Sequence, residues 1–357
     1  MLQSLDNYII RFQRIPLSEK LFFVQHLRVM MRAGVPLARA LSTLSLQSSN
    51  KRFQMILTDL KNRIEKGNGF AESLKKHKKI FGELFINIIK AGEVSGKLED
   101  ALEQLFIQTK KDYEIRSKVR GAMIYPIIIV LAMLSIGGLM IVFIIPKITQ
   151  IFQASGVELP LPTRILIGVS DFVIMHKILA PSVIIILICG FFAAIRTEKG
   201  KLYFHIILLR LPIFSKILKK INLARFCRTL YSMLMTDIPI MSSLKITSDV
   251  LGNVIYKQIV LGASDKVAKG IGIADTLKKN PRVFPPVVTE MIAIGEETGS
   301  LDSVLKEMSE FYEEEVNQTM KNLPAIIEPI LILILGVGVA GMALAVIMPM
   351  YSLTETI

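Results

Sequence analysis

The sequence predicts an all-α fold: a polytopic membrane protein with two duplicated cytoplasmic helical-bundle domains and three transmembrane helices. Three observations carry that prediction. First, the chain repeats itself without a gap at an offset of 203 residues. Phe23, Pro36, Gly67, Gly69, Phe81, Gly92, Glu93, Gly96, Pro126 and Pro146 return as Phe226, Pro239, Gly270, Gly272, Phe284, Gly295, Glu296, Gly299, Pro329 and Pro349. A period this long is a whole domain with a membrane segment, not a solenoid repeat. Helix breakers and close-approach glycines at matching offsets predict one fold for both copies. Second, the runs 122–145, 178–195 and 329–349 carry no charge and approach or meet the roughly 20 residues that cross a bilayer core. Third, the remainder has helical periodicity and no sustained alternation of the strand type.

The elements follow in chain order. Segment 1–17 is short and, with the residues just after it, lacks the long apolar core of a cleavable signal. Domain 18–121 opens with a helix through Leu21, Val24, Leu27 and Met31, which Gly34 ends. Pro36 opens the next helix at a position where proline is tolerated, with Leu37, Leu41 and Leu44 at helical spacing. A third helix over about 51–66 stops at Gly67 and Gly69. A short piece covers 71–76 and another covers 84–94. Leu98, Leu102 and Leu105 then start a long helix toward the first span, 122–146. Segment 147–177 is an outward loop and interfacial stretch, and 178–195 is the second span. The second cytoplasmic domain is 196–322, the third span 323–349 and the outward tail 350–357. Each domain is therefore a bundle of five or six helices.

Composition agrees. The chain has 357 residues, 52% hydrophobic yet 20% charged, with a mean hydropathy of +0.50, which fits membrane spans joined to polar domains. The net charge of +13 is uneven: residues 1–121 hold 22 Lys/Arg against 12 Asp/Glu, and 196–322 hold 18 against 14. Both basic regions belong on the cytoplasmic side by the positive-inside rule, beside anionic lipid. The N-terminus is then inside and the C-terminus outside. No nucleic-acid motif accompanies the charge. Cys189 and Cys227 make no disulfide framework and fit a reducing compartment.

Several motifs are candidates for function. The GxG of Gly67–Gly69 and Gly270–Gly272 is read as a turn, since a nucleotide fingerprint needs a preceding strand and more glycines. GEVSG (Gly92, Glu93, Gly96) returns as GEETG (Gly295, Glu296, Gly299) at a helix-to-helix corner. Gly96 and Gly299 suit the left-handed end of a helix. Glu93 and Glu296 are capping or solvated carboxylates, or else contacts for a basic partner or a shared cation. Glu307, Glu310, Glu313, Glu314 and Glu315 form an acidic stripe, with Lys110 and Lys111 at the first-copy positions of Glu313 and Glu314. It is a solvated face, or a device by which the copies dock different partners. Glu328, equivalent to Tyr125, lies at the mouth of the third span, where an ionisable group is a functional candidate. Pro126 and Pro146, like Pro329 and Pro349, bracket a span as helix ends, or the inner pair are kinks that pass motion into the membrane. Gly336, Ala340, Gly341 and Ala345 give the small-residue spacing that lets membrane helices approach closely.

A family resemblance rests on longer stretches. These are KVRGAMIYP (118–126), FIIP (143–146), GVELPLPTRIL (156–166), LPIFSKILKKINLARFCRTL (211–230), GEETGSLDSVLKEMSEFYEEEV (295–316) and IEPILILILG (327–336). In combination with the duplication and span order, they resemble the inner-membrane platform proteins of type IV pilus assembly and type II secretion, the GspF/PilC-like family, from about Ser18 to Pro349. The resemblance implies a non-enzymatic, cofactor-free protein of the inner membrane. Its implied partners are a cytoplasmic hexameric assembly ATPase, pilin or pseudopilin transmembrane helices, other inner-membrane assembly proteins and further copies of itself. Rival readings are weaker. A transporter would show inverted repeats and more intramembrane charge. His26, His77, His176 and His205 are scattered, with no catalytic motif around them. A signalling scaffold would share the architecture and differ in its partners.

Overall fold

The structure, a computed structural model, describes residues 13–147, 149–150, 161–176, 179–236 and 238–354. Among the described residues every regular element is helical. The first copy contributes α1 (Leu17–Arg32), α2 (Leu37–Gln47), α3 (Lys51–Glu65), α4 (Phe70–Lys75), α5 (Lys78–Val94) and α6 (Leu98–Leu139), which runs on through a π turn, Met140–Ile144. Then come α7 (Leu161–Met175), α8 (Leu179–Arg196) and α9 (Glu198–Arg210). The second copy adds α10 (Pro212–Leu234), α11 (Ile240–Val250), α12 (Val254–Val267), α13 (Ile273–Leu277), α14 (Pro286–Thr298) and α15 (Leu301–Thr354).

The 203-residue frame holds element by element, and the punctuation residues explain why. Pro36 and Pro239 precede α2 and α11 in extended conformation, as a residue that cannot donate an N–H should. Asn50 and Asn253 cap α3 and α12, their side chains accepting from the N–H of Phe53 and Ile255. Helix α5 is broken by Gly82 at φ 81°, and its second-copy equivalent, Pro285, stands immediately before α14.

Contacts divide the chain into two units. One holds Met1–Ser117 with His205–Asn317, so the two polar copies, expected as two bundles, form one compact body. Each copy keeps its own core. In the first, the Phe23 and Phe53 rings meet edge-on at 5.6 Å and Phe81 closes the trio. In the second, Phe226, Phe284 and Tyr256 occupy the equivalent places at 5.3 Å, and the Tyr256 hydroxyl donates to the Val283 carbonyl. The cores are not independent, since Met233 and Ile246 of the second copy are buried in the first copy's core.

The other unit holds Lys118–Phe204 with Gln318–Ile357. Two helices, Leu98–Lys147 and Leu301–Ala345, are long and apolar enough to cross a membrane. Their apolar stretches expose Ile128, Leu131 and Leu134 on α6 and Ile332, Leu333 and Val337 on α15, a pattern suited to lipid rather than water. The third expected span corresponds to α8, whose shorter apolar stretch does not meet that standard. Of the expected outward segment 147–177, residues 148, 151–160 and 177 lie outside the described residues, and Leu161–Met175 forms α7. The reading of the prolines as helix ends needs correction. Pro126 lies inside α6, and Pro329 and Pro349 lie inside α15, while Pro146 falls in helical residues just past the π turn. Helix-forming sequence continues on both sides of each inner proline, and one missing N–H does not end a ladder that long.

Candidate functional site

The two glycine motifs turn out to be one device, built twice. Gly67 and Gly270 take left-handed φ values of 85° and 81°, and Gly69 and Gly272 cap α4 and α13. The N–H groups of the first turn would be an anion site, but the protein's own carboxylate fills it. Glu93 accepts from Phe70 N at 2.6 Å and Ala71 N at 2.9 Å. Glu296 accepts from Ile273 N and Ala274 N at the same distances. A Cβ at Gly69 would stand 3.0 Å from a Glu93 oxygen, which accounts for glycine there. Gly92 serves the other side of the corner, where a Cβ would meet the Ala101 Cβ at 2.4 Å. Gly96 and Gly299 are left-handed, at φ 72° and 68°. The geometry is that of the capping reading. Among the described residues no three His, Cys, Asp or Glu side chains are grouped to hold a metal ion.

The acidic stripe separates into two parts. Glu307, Glu310 and Glu314 are exposed on α15, whereas Glu313 turns inward. Its carboxylate accepts from Arg228 Nη1 at 2.8 Å and pairs with Lys111 Nζ at 2.8 Å. Arg228, 4% exposed, also donates to Gln108 Oε1 at 2.9 Å and to Asp112 Oδ1 at 2.8 Å. Gln108 in turn donates to Thr229. One buried guanidinium on α10 therefore ties α6 to α15. The sign difference between Lys111 and the second copy's carboxylates makes this pairing possible. Sequence reasoning missed Arg228, because its first-copy equivalent is the neutral Gln25 and nothing local marks it as buried.

At the membrane mouth, the Tyr125 and Glu328 side chains lie close enough to interact. They are equivalent positions of the two copies, so the mouths of the two apolar helices stand at a similar level there. Of the small-residue face, Gly336, Ala340 and Gly341 are exposed and a Cβ at either glycine would meet nothing within 4 Å. Ala345 is buried. Beside the first copy's corner lies a cleft of about 710 Å³, lined among others by Lys90, Gly92, Val94, Lys97, Met235 and Pro239.

A duplicated helical body carrying two long apolar helices defines a membrane-anchored protein built on an internal repeat. The family described as type II secretion system (T2SS), protein F matches the chain twice, over residues 23–146 and 226–349. Those limits are the Phe23/Phe226 and Pro146/Pro349 landmarks of the repeat. A Type IV pilus assembly protein PilC of Thermus thermophilus is 37% identical over 96% of this chain and 84% of its own length. A PilC of Pseudomonas aeruginosa is 32% identical over 94% of this chain and 90% of its own. A Type II secretion system protein F of that organism is 31% identical over 93% and 82%. The chain belongs to the type II secretion system protein F family.

Proposed function

We propose that this protein is the inner-membrane platform of a type IV pilus or type II secretion machine, coupling a cytoplasmic assembly ATPase to pilin or pseudopilin polymerisation. It carries no catalysis of its own. The observation behind this reading is that α6 and α15 each begin in the polar unit and continue as the apolar helices of the other. Force applied to the polar unit has a covalent, hydrogen-bonded route into the bilayer through both copies.

Topology follows from the same arrangement. Both polar copies belong to one body, so both lie on one side of the membrane. The span on α6 leaves that side, and the chain must return between residues 147 and 205. The uncharged run 178–195 on α8 supplies the third crossing, about 27 Å of helix against a core of about 30 Å. The basic excess of 1–121 and 196–322 puts the polar body in the cytoplasm and the C-terminus outside.

Gly336, Ala340 and Gly341 offer a close-packing face for pilin helices or for a second copy. Glu328 is the ionic contact for a basic group on one of them. If so, Glu328→Asp is far milder than Glu328→Gln in a pilus or secretion assay, and equal behaviour of the two sinks that role. The decisive experiment on the whole reading is gentle crosslinking and affinity purification from native membranes, with partners read by mass spectrometry. Recovery of an assembly ATPase with pilin-like proteins is expected. A reproducible, different partner set would replace the platform with a signalling scaffold.

A further inference from the structure

Helix α7 makes two hydrogen bonds that its sequence does not advertise. The Thr163 hydroxyl donates to the Ala345 carbonyl of α15 at 2.7 Å. The Ser170 hydroxyl donates at 2.7 Å to the carbonyl of Ile141, which lies in the π turn Met140–Ile144. A π turn departs from the i→i−4 ladder, and Ser170 brings a donor to it. Both hydroxyl residues are buried, Thr163 at 3% and Ser170 at 1% exposure.

The levels of the two acceptors decide how α7 lies. In the 203-residue frame Ile141 corresponds to Leu344, the residue beside Ala345. Tyr125 and Glu328 lie near each other at the mouths of the two spans, and the acceptors follow 16 residues later on α6 and 17 residues later on α15, so they stand at nearly the same depth on two different helices. Thr163 and Ser170 are separated by roughly 10 Å of helix, close to the 8–10 Å between packed helix axes. A helix lying along one span would make its contacts at different depths on that span. Contacts at one depth on both spans require a helix that crosses them. That depth is four or five residues short of Pro146 and Pro349, roughly 6–8 Å inside the outward ends. The other face of α7 exposes Leu161, Ile165, Val169 and Phe172 at helical spacing. It is continuous in character with the exposed Phe143 and Leu344 of the adjoining spans.

We propose that α7 is an interfacial brace: it lies across the outward ends of the two copy-related spans, pins them side by side, and buries its free face among the acyl chains of the outer leaflet. A helix with one apolar face at this depth has the seating of a monotopic membrane helix. The inference rests on the membrane reading above and deepens it. Lipid is the partner because the face is apolar and shallow and joins the lipid-facing surface of the spans.

The test uses the full-length chain carrying Cys189→Ala, with the buried Cys227 left in place, reconstituted into phosphatidylethanolamine and phosphatidylglycerol vesicles. A fluorescent maleimide is placed at Ile165→Cys or Phe172→Cys, with Leu134→Cys as a mid-span control and Leu46→Cys as a control in the polar unit. Lipids brominated near the top of the acyl chain should quench the α7 probes strongly, and aqueous iodide should quench them several-fold less than the probe at position 46. Iodide quenching at 165 and 172 equal to that at 46, with position 134 still lipid-quenched, overturns the brace alone. Exposure of position 134 to iodide overturns the membrane reading instead. Shielding of 165 and 172 from both quenchers means that protein covers the face and rules out lipid. Pinning is read separately: Thr163→Ala with Ser170→Ala should raise iodide access at 172, and Thr163→Ser should restore protection. Unchanged access in the double variant refutes the hydroxyl pins.

Discussion

At the scale of single residues, Glu93 does the capping work that its corner in the sequence suggests, whereas Arg228 does work that its neighbourhood does not. Glu93 spends both oxygens on the first turn of α4, a charge-assisted cap at a helix N-terminus. Glu93→Ala should cost about 1–2 kcal/mol, read as a lower melting temperature of the full chain in detergent, and Glu296→Ala should cost about as much. Normal stability with lost assembly would return Glu93 to a partner-contact role. Arg228→Ala should be worse, about 3–5 kcal/mol, because the buried Glu313 keeps only the half-exposed Lys111 and Asp112 keeps only Arg225 at 3.3 Å. Adding Glu313→Gln and Asp112→Asn should recover part of that loss, and strict additivity would refute the network. The glycines were legible because left-handed backbone and close approach demand one residue type. Arg228 was not, since burial of a cation depends on partners 85 to 120 residues away.

At the scale of elements, periodicity and punctuation placed the helices of the first copy and, through the repeat, those of the second, because proline and glycine act locally; α7 and α9 were not foreseen. The prolines of the spans misled because a proline's meaning depends on what flanks it. Pro126 and Pro329 sit within unbroken helices, where an interior proline removes one hydrogen bond and costs about 3 kcal/mol in water but is tolerated in membranes. On the platform reading, their equivalent places in both copies suit a bend where motion of the polar unit would enter the bilayer. Replacing both with Ala should raise thermal stability while lowering pilus or secretion output. Normal output in the double variant would reduce these prolines to passive features. The hydroxyls of α7 were likewise invisible to pattern reading, since Thr163 and Ser170 are ordinary in sequence and gain meaning only from the carbonyls they reach.

At the scale of the whole molecule, duplication supplies two similar corners in one body, and the corners differ in charge. The first copy's corner exposes Val94 between Lys90 and Lys97, beside the 710 Å³ cleft. The second copy has Ala293, Glu297 and Ser300 at the corresponding places. The first copy also carries the larger basic excess, so a partner with an acidic surface meets it preferentially. On the platform reading, we propose that residues 1–121 make the ATPase contact. A photo-crosslinking side chain at Val94 should capture the ATPase in intact cells, and one at Glu297 should capture it poorly. Raising ionic strength in permeabilised cells should weaken the Val94 product first, since exposed charges are screened over about 8–10 Å. Exclusive capture from 196–322 would reverse the assignment and give the first copy's corner to another assembly protein. Equal capture at both corners would mean that the ATPase reads the pseudo-symmetry itself, engaging both copies and driving both membrane helices together.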